Sequence, residues 1–122
     1  MRKIFLVGLL SVLLSLVACD NDNLGFPSSV NFPRSGGSKI ISGKDMPYIA
    51  TLEILDYDGD GNCAYADSDS MIVTYKWLTA KMRTYDNKVE LIAEPSNSSE
   101  KRTLYVYVYD GKDISETKVT QK

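Results

Sequence analysis

The chain has 122 residues, enough for one domain with one small core. It is 43% hydrophobic, 25% charged and 10% aromatic, with a net charge of −2, which excludes the disordered and collagen-like classes. It contains no histidine, so imidazole catalysis, imidazole metal ligation and a histidine pH switch are excluded together, and no enzymatic activity is expected.

Arg2 and Lys3 precede an apolar run from Ile4 to Ala18. Such a run is shorter than the roughly 20 residues a helix needs to cross a bilayer, so residues 1–18 read as a signal peptide, a helical leader. Leu16, Val17, Ala18 and Cys19 resemble a bacterial lipobox. That resemblance implies lipidation of Cys19, a membrane partner through this anchor, and a place at the bacterial outer membrane, periplasmic or surface-exposed. Asp20 and Asp22 resemble the acidic export tag of surface lipoproteins. Loss of residues 1–18 removes two basic residues and no acid, leaving 12 basic against 16 acidic residues and a charge of −4. This sign disfavours nucleic acid as a partner. With Cys19 acylated, Cys63 has no cysteine to pair with and is expected to act as a small hydrophobe.

Residues 19–29 are rich in Asp, Asn, Ser, Gly and Pro and read as a flexible tether, with the domain covering 30–122. From there on, short β-branched and aromatic runs recur between turn residues, and no helical period is sustained. The runs are Val30–Phe32, Lys39–Ile41, Tyr48–Leu55, Met71–Leu78, Lys81–Tyr85, Val89–Ala93, Leu104–Tyr109 and Glu116–Thr120. About seven strands are expected from these eight runs, giving an all-β, immunoglobulin-like sandwich. In Met71–Leu78, the alternation of Met71, Val73, Tyr75 and Trp77 places the sole Trp at the centre of the core. In Leu104–Tyr109, Leu104, Val106 and Val108 share the core face while Tyr105, Tyr107 and Tyr109 share the other. Asp110 and Gly111 supply hairpin chemistry, which would set the last strand antiparallel to this one at the sheet edge.

Phe32, Pro33, Ser35 to Ser38, then Trp77 to Thr79, Asn97 with Arg102 and Thr103, and finally Val119 to Gln121 together resemble a BACON domain (Bacteroidetes-associated carbohydrate-binding, often N-terminal) over about residues 28–122. The resemblance implies an immunoglobulin-like sandwich and carbohydrate or mucin binding. Two features depart from that pattern: a lone domain is expected behind the anchor, and an acidic insertion separates Leu55 from Met71.

Two candidate sites emerge. Asp56, Asp58, Asp60, Gly61, Asn62 and Asp67 match the spacing of a twelve-residue calcium loop, with oxygens at positions 1, 3, 5 and 12, a main-chain carbonyl at 7 and Gly at 6. The same residues also suit an acidic turn, because Asp67 is shorter than the usual Glu and Asp-Gly pairs favour turns. Calcium is the one cofactor the sequence suggests. Tyr105, Tyr107 and Tyr109 span about 14 Å and offer a flat aromatic platform for a glycan. A tyrosine stripe that only stabilises cross-strand pairs is the plainer alternative. The expected role is a non-catalytic, lipid-anchored binding module for carbohydrate or mucin. The alternative is a structural or protein-interaction subunit of an outer-membrane assembly, with an envelope protein as partner.

Overall fold

The computed structural model describes residues 23–43, 49, 51–67, 72–83 and 88–122. The expected signal peptide, the expected lipidation site Cys19 and the acidic pair after it lie outside the described residues. Nine strands are present among those described: β1 (Ser29–Phe32), β2 (Gly37–Ser42), β3 (Thr51–Leu55), β4 (Cys63–Asp67), β5 (Ile72–Tyr75), β6 (Leu78–Arg83), β7 (Lys88–Ala93), β8 (Arg102–Tyr109) and β9 (Ile114–Gln121). They form a five-stranded sheet in the order β1-β9-β8-β3-β4 and a four-stranded sheet in the order β2-β7-β6-β5. The fold is therefore an all-β, immunoglobulin-like sandwich with more strands than the seven expected.

The core follows from alternation. Leu52 and Ile54 on β3, Leu104, Val106 and Val108 on β8, and Val119 on β9 turn inward, and Leu78, Ala80, Val89 and Leu91 of the other sheet meet them. All are essentially sealed from water, and each large aliphatic contributes on the order of 1.5–3 kcal/mol. Because side chains alternate across a strand, the same register that buries Leu104, Val106 and Val108 fixes Tyr105, Tyr107 and Tyr109 on the outer face.

Four expectations need correction. First, the stretch Cys63–Asp67, read as part of an acidic insertion, is a strand paired antiparallel with β3 from Leu55↔Cys63 to Thr51↔Asp67. Second, Met71–Leu78 is not one strand: the chain turns at Lys76 and Trp77, with Lys76 at φ 55°, and β5 and β6 pair across that turn from Tyr75↔Leu78. Trp77 is buried, as expected, but in the turn at one end of the core and not at its centre. Third, β9 pairs antiparallel with β8 as the Asp110-Gly111 turn requires, yet it is not an edge, because β1 lies parallel on its other side from Ser29↔Lys118 to Phe32↔Gln121.

Fourth, the segment expected to be a tether joins the fold from Asn23 onward. The Asn23 amide accepts from the Glu116 backbone N–H (2.8 Å) and donates to the Glu116 carbonyl (2.7 Å), so it extends the β1 ladder by mimicking a peptide group. Phe26 is buried against Gly43, where any Cβ would overlap its ring. The chain then passes from one sheet to the other between β1 and β2 through Gly36 (φ 81°), a close approach to the Ala93 carbonyl that leaves 2.5 Å for a Cβ.

Candidate functional site

The outer face of the five-stranded sheet carries the tyrosines. Tyr107 on β8 lies between Glu53 of β3 and Glu116 of β9, and Glu53 in turn lies beside Tyr65 of β4. One step along, Tyr105 lies between Leu55 and Lys118; at the far end Tyr109 lies between Thr51 and Ile114. The Tyr107 hydroxyl donates to Glu116 Oε2 (2.7 Å) and the Tyr105 hydroxyl to Asp58 Oδ2 (3.0 Å). Partial burial, and then these carboxylate acceptors, push both phenols above the ordinary tyrosine value, Tyr107 the further. Both rings are thereby neutral donors held in one orientation. Tyr57 meets Tyr105 edge to face, with centroids 5.7 Å apart.

The stripe of three is thus part of a five-tyrosine patch, in which Tyr57 and Tyr65 are the most exposed members at 68% and 70%. Neither was anticipated from the sequence. Tyr65 alternates on β4 with Ala64 and Ala66, small residues that face inward against the core and give little strand signal. Cys63 is also exposed on this face, contrary to the hydrophobe reading, and its thiol is pushed up by its bond to Glu53.

The acidic loop between β3 and β4 folds back on Asp56. The Asp56 N–H donates to the Asn62 carbonyl (2.9 Å), and the Asp56 carbonyl accepts from Gly59 (3.2 Å) and Gly61 (2.9 Å). Lys76, projecting from the β5–β6 turn, sets its Nζ 2.6 Å from Asp56 Oδ2 and 3.0 Å from Asp60 Oδ2. Tyr75 adds a hydroxyl donated to Asp60 Oδ2 at 2.9 Å. The Asn62 N–H, then Lys76, lower the Asp60 carboxyl to about 2, and the two carboxylates raise the Lys76 ammonium above the usual lysine value.

Of the proposed calcium ligands, Asp56 and Asp60 converge, but on Lys76. Asp58 turns away to Tyr105, the Asn62 carbonyl is engaged by Asp56, and Asp67 sits at the far end of β4 opposite Thr51. Four residue steps along the strand, about 13 Å, separate that position from Cys63 at the loop. Among the described residues no group of three acidic or cysteine side chains is arranged to hold a metal ion.

At the same end of the sheet, a cleft of about 520 Å³ opens between the acidic loop and the start of β8. Trp77 and Leu104 are among its walls, and Lys101, Arg102 and Lys118 line it with Lys76, Asp56 and Asp58. Thr103, next outward residue to Tyr105 on β8, also lines it, so the cleft continues the tyrosine row.

Behind the cleft is a hydrogen-bonded cluster. The Arg102 guanidinium lies 4.8 Å from the Trp77 ring centroid; its Nε donates to Gln121 Oε1 (2.6 Å) and its Nη2 to the Glu94 carbonyl (3.3 Å). Gln121, fully buried, donates to the carbonyls of Pro33 (3.0 Å) and Glu94 (2.8 Å). Pro33, Trp77, Arg102 and Gln121 therefore meet in one structural cluster. It ties β1, the β5–β6 turn, β8 and β9 together.

These features describe a small sandwich with an aromatic sheet face that ends in a charged cleft. No family model matches the chain, and no curated protein matches it. Among solved structures, an NMR structure of a protein from Bacteroides thetaiotaomicron is similar at a TM-score of 0.57 and 18% identity, over 80% of this chain and 81% of that one. The likeness is one of fold.

Proposed function

We propose that this chain is a non-catalytic binding module, held at the bacterial outer membrane by a lipid on Cys19, and that its tyrosine face takes carbohydrate. The observation that carries the reading is the five-tyrosine patch, in which Tyr105 and Tyr107 are held in orientation by Asp58 and Glu116. Rigid rings offer flat apolar surface to the C–H faces of sugars at little entropic cost, and Glu53 and Glu116 supply acceptors for sugar hydroxyls. Asp60 in the acidic loop is unsuited to general-acid catalysis. A general acid needs a carboxyl raised toward neutrality, whereas Asp60 is held at about 2. The anchor is supported by the order of basic residues, apolar run and Cys19 in the sequence.

A second reading, docking to an envelope protein, is favoured by Ile114, which is 59% exposed beside Tyr109, because exposed aromatic and aliphatic side chains together resemble interface cores. A glycan array probed with the full chain in mild detergent separates the two. Retention on at least one oligosaccharide is expected, reduced at least tenfold in Tyr65→Ser/Tyr109→Ser with an unchanged melting temperature. A blank array overturns the carbohydrate reading and leaves protein docking.

A further inference from the structure

The cleft at the end of the tyrosine face differs in charge from the rest of the molecule. The chain is net acidic, yet the cleft gathers four cationic side chains against two carboxylates. Two of the cations are committed: Lys76 to Asp56 and Asp60, and Arg102 to Gln121, Glu94 and the Trp77 ring. The ammonium groups of Lys101 and Lys118 bond to no described residue. Both residues are exposed, Lys118 directly across from Tyr105 and Lys101 just before β8. Asp58, the carboxylate without a cation, is engaged by the Tyr105 hydroxyl.

The middle of the face has the opposite sign. Glu53 and Glu116 flank Tyr107 on either side, so an anionic substituent is repelled there and drawn toward the cleft, about 14 Å from the Tyr109 end when counted from Tyr105. We infer that the cleft is the anion-accepting end of the tyrosine face, with Lys101 and Lys118 selecting saccharides that carry a carboxylate or a sulfate group. This inference rests on the carbohydrate reading above. In the bound state neutral sugar rings lie over Tyr107 and Tyr109, and the acidic substituent lies in the cleft between the two lysines.

The test uses two matched pairs of hexasaccharides, each titrated calorimetrically into the full chain in mild detergent. A sulfated galactan is compared with its desulfated product, and an oligogalacturonate with its carboxyl-reduced product, so the pairs separate sulfate from carboxylate. In at least one pair the acidic member is expected to bind about tenfold more tightly at low salt, the sum of two exposed charge contacts. Because the screening length falls to about 4 Å at 0.5 M salt, the preference should shrink to near parity in 0.5 M NaCl. Lys101→Ala/Lys118→Ala should show the same parity at low salt while its affinity for the neutral member stays unchanged; both side chains are exposed, so the fold is expected to tolerate the change. Equal binding of acidic and neutral members in both pairs, or a preference that survives the double substitution, overturns the inference and leaves the binding-module reading standing. Failure of all four sugars to bind, with other glycans retained on the array, does the same. A blank array as well removes both.

Discussion

On one side of Trp77, Arg102 spends its donors inward on Gln121 and the Glu94 carbonyl; on the other, Lys76 spends its ammonium on Asp56 and Asp60, in a loop that water reaches. Both arrangements neutralise or satisfy polar groups at the end of a small core, but they differ in what losing them leaves behind. Gln121, at the centre of its cluster, is sealed, so its amide has no water to replace a missing partner, while Arg102 beside it is half-buried. The Lys76 pair is about half exposed on the lysine side, so solvent and salt take up much of the difference. Stability is therefore concentrated behind Trp77, and the surface in front of it is free to be specialised.

The strongest way to break this contrast is Gln121→Leu. It keeps the volume but removes three hydrogen bonds, one of them to a guanidinium, at a cost of about 2–3 kcal/mol. In a domain of this size the melting temperature should fall by roughly 10–20 °C, read by circular dichroism. A fall of only a few degrees would show that the cluster does not concentrate stability as described.

Next in size is an alkaline effect. Lys76 and the hydroxyls of Tyr75, Tyr105 and Tyr107 all titrate above their ordinary values of 10.5 and 10.0 in the folded chain. A folded value above the unfolded one adds stability that is complete below the ordinary value and is withdrawn as pH climbs past it. Melting temperature should therefore hold to about pH 9.5 and then fall, and Tyr107→Phe should soften the fall. On the acid side the sign reverses. Asp60 and Asp110 titrate below 3.8, so a separate loss should appear as pH drops from about 4 toward 2. A melting temperature that stays flat to pH 11.5 would remove the tyrosine contacts from the description.

The smallest effect sharpens the role of Lys76. With an internal cation between Asp56 and Asp60, millimolar Ca²⁺ should shift the melting temperature of the native chain no more than NaCl of equal ionic strength does. Lys76→Met should melt a little lower, and Ca²⁺ should then restore it where NaCl does not. A calcium-specific rise in the native chain would return the loop to its calcium reading.

What could be read in advance follows the range of the interactions. The tyrosine row was legible because alternation along β8 is local. β4 was not, since its Ala64 and Ala66 are weak strand formers set among Asp, Gly and Asn. The β5–β6 turn was hidden because Tyr75 and Trp77 continue the alternation straight through it, and Lys76, not Gly or Asn, takes the positive φ. Partners distant along the chain left no local trace. Lys76 reaches Asp56 across 20 positions, and Asn23 reaches Glu116 across 93. The acidic spacing therefore suggested a metal where the fold brings up a lysine.

The parallel pairing of β1 with β9 also has a mechanical consequence. Because the two strands run the same way, the chain leaves the pair at opposite ends, before Ser29 and after Gln121. A force that draws these two exits apart loads the rungs between Ser29↔Lys118 and Phe32↔Gln121 simultaneously, in shear, with the Lys118 N–H to Ser28 and Lys122 N–H to Phe32 bonds closing the two ends. An antiparallel hairpin pulled from its open end would yield one rung at a time.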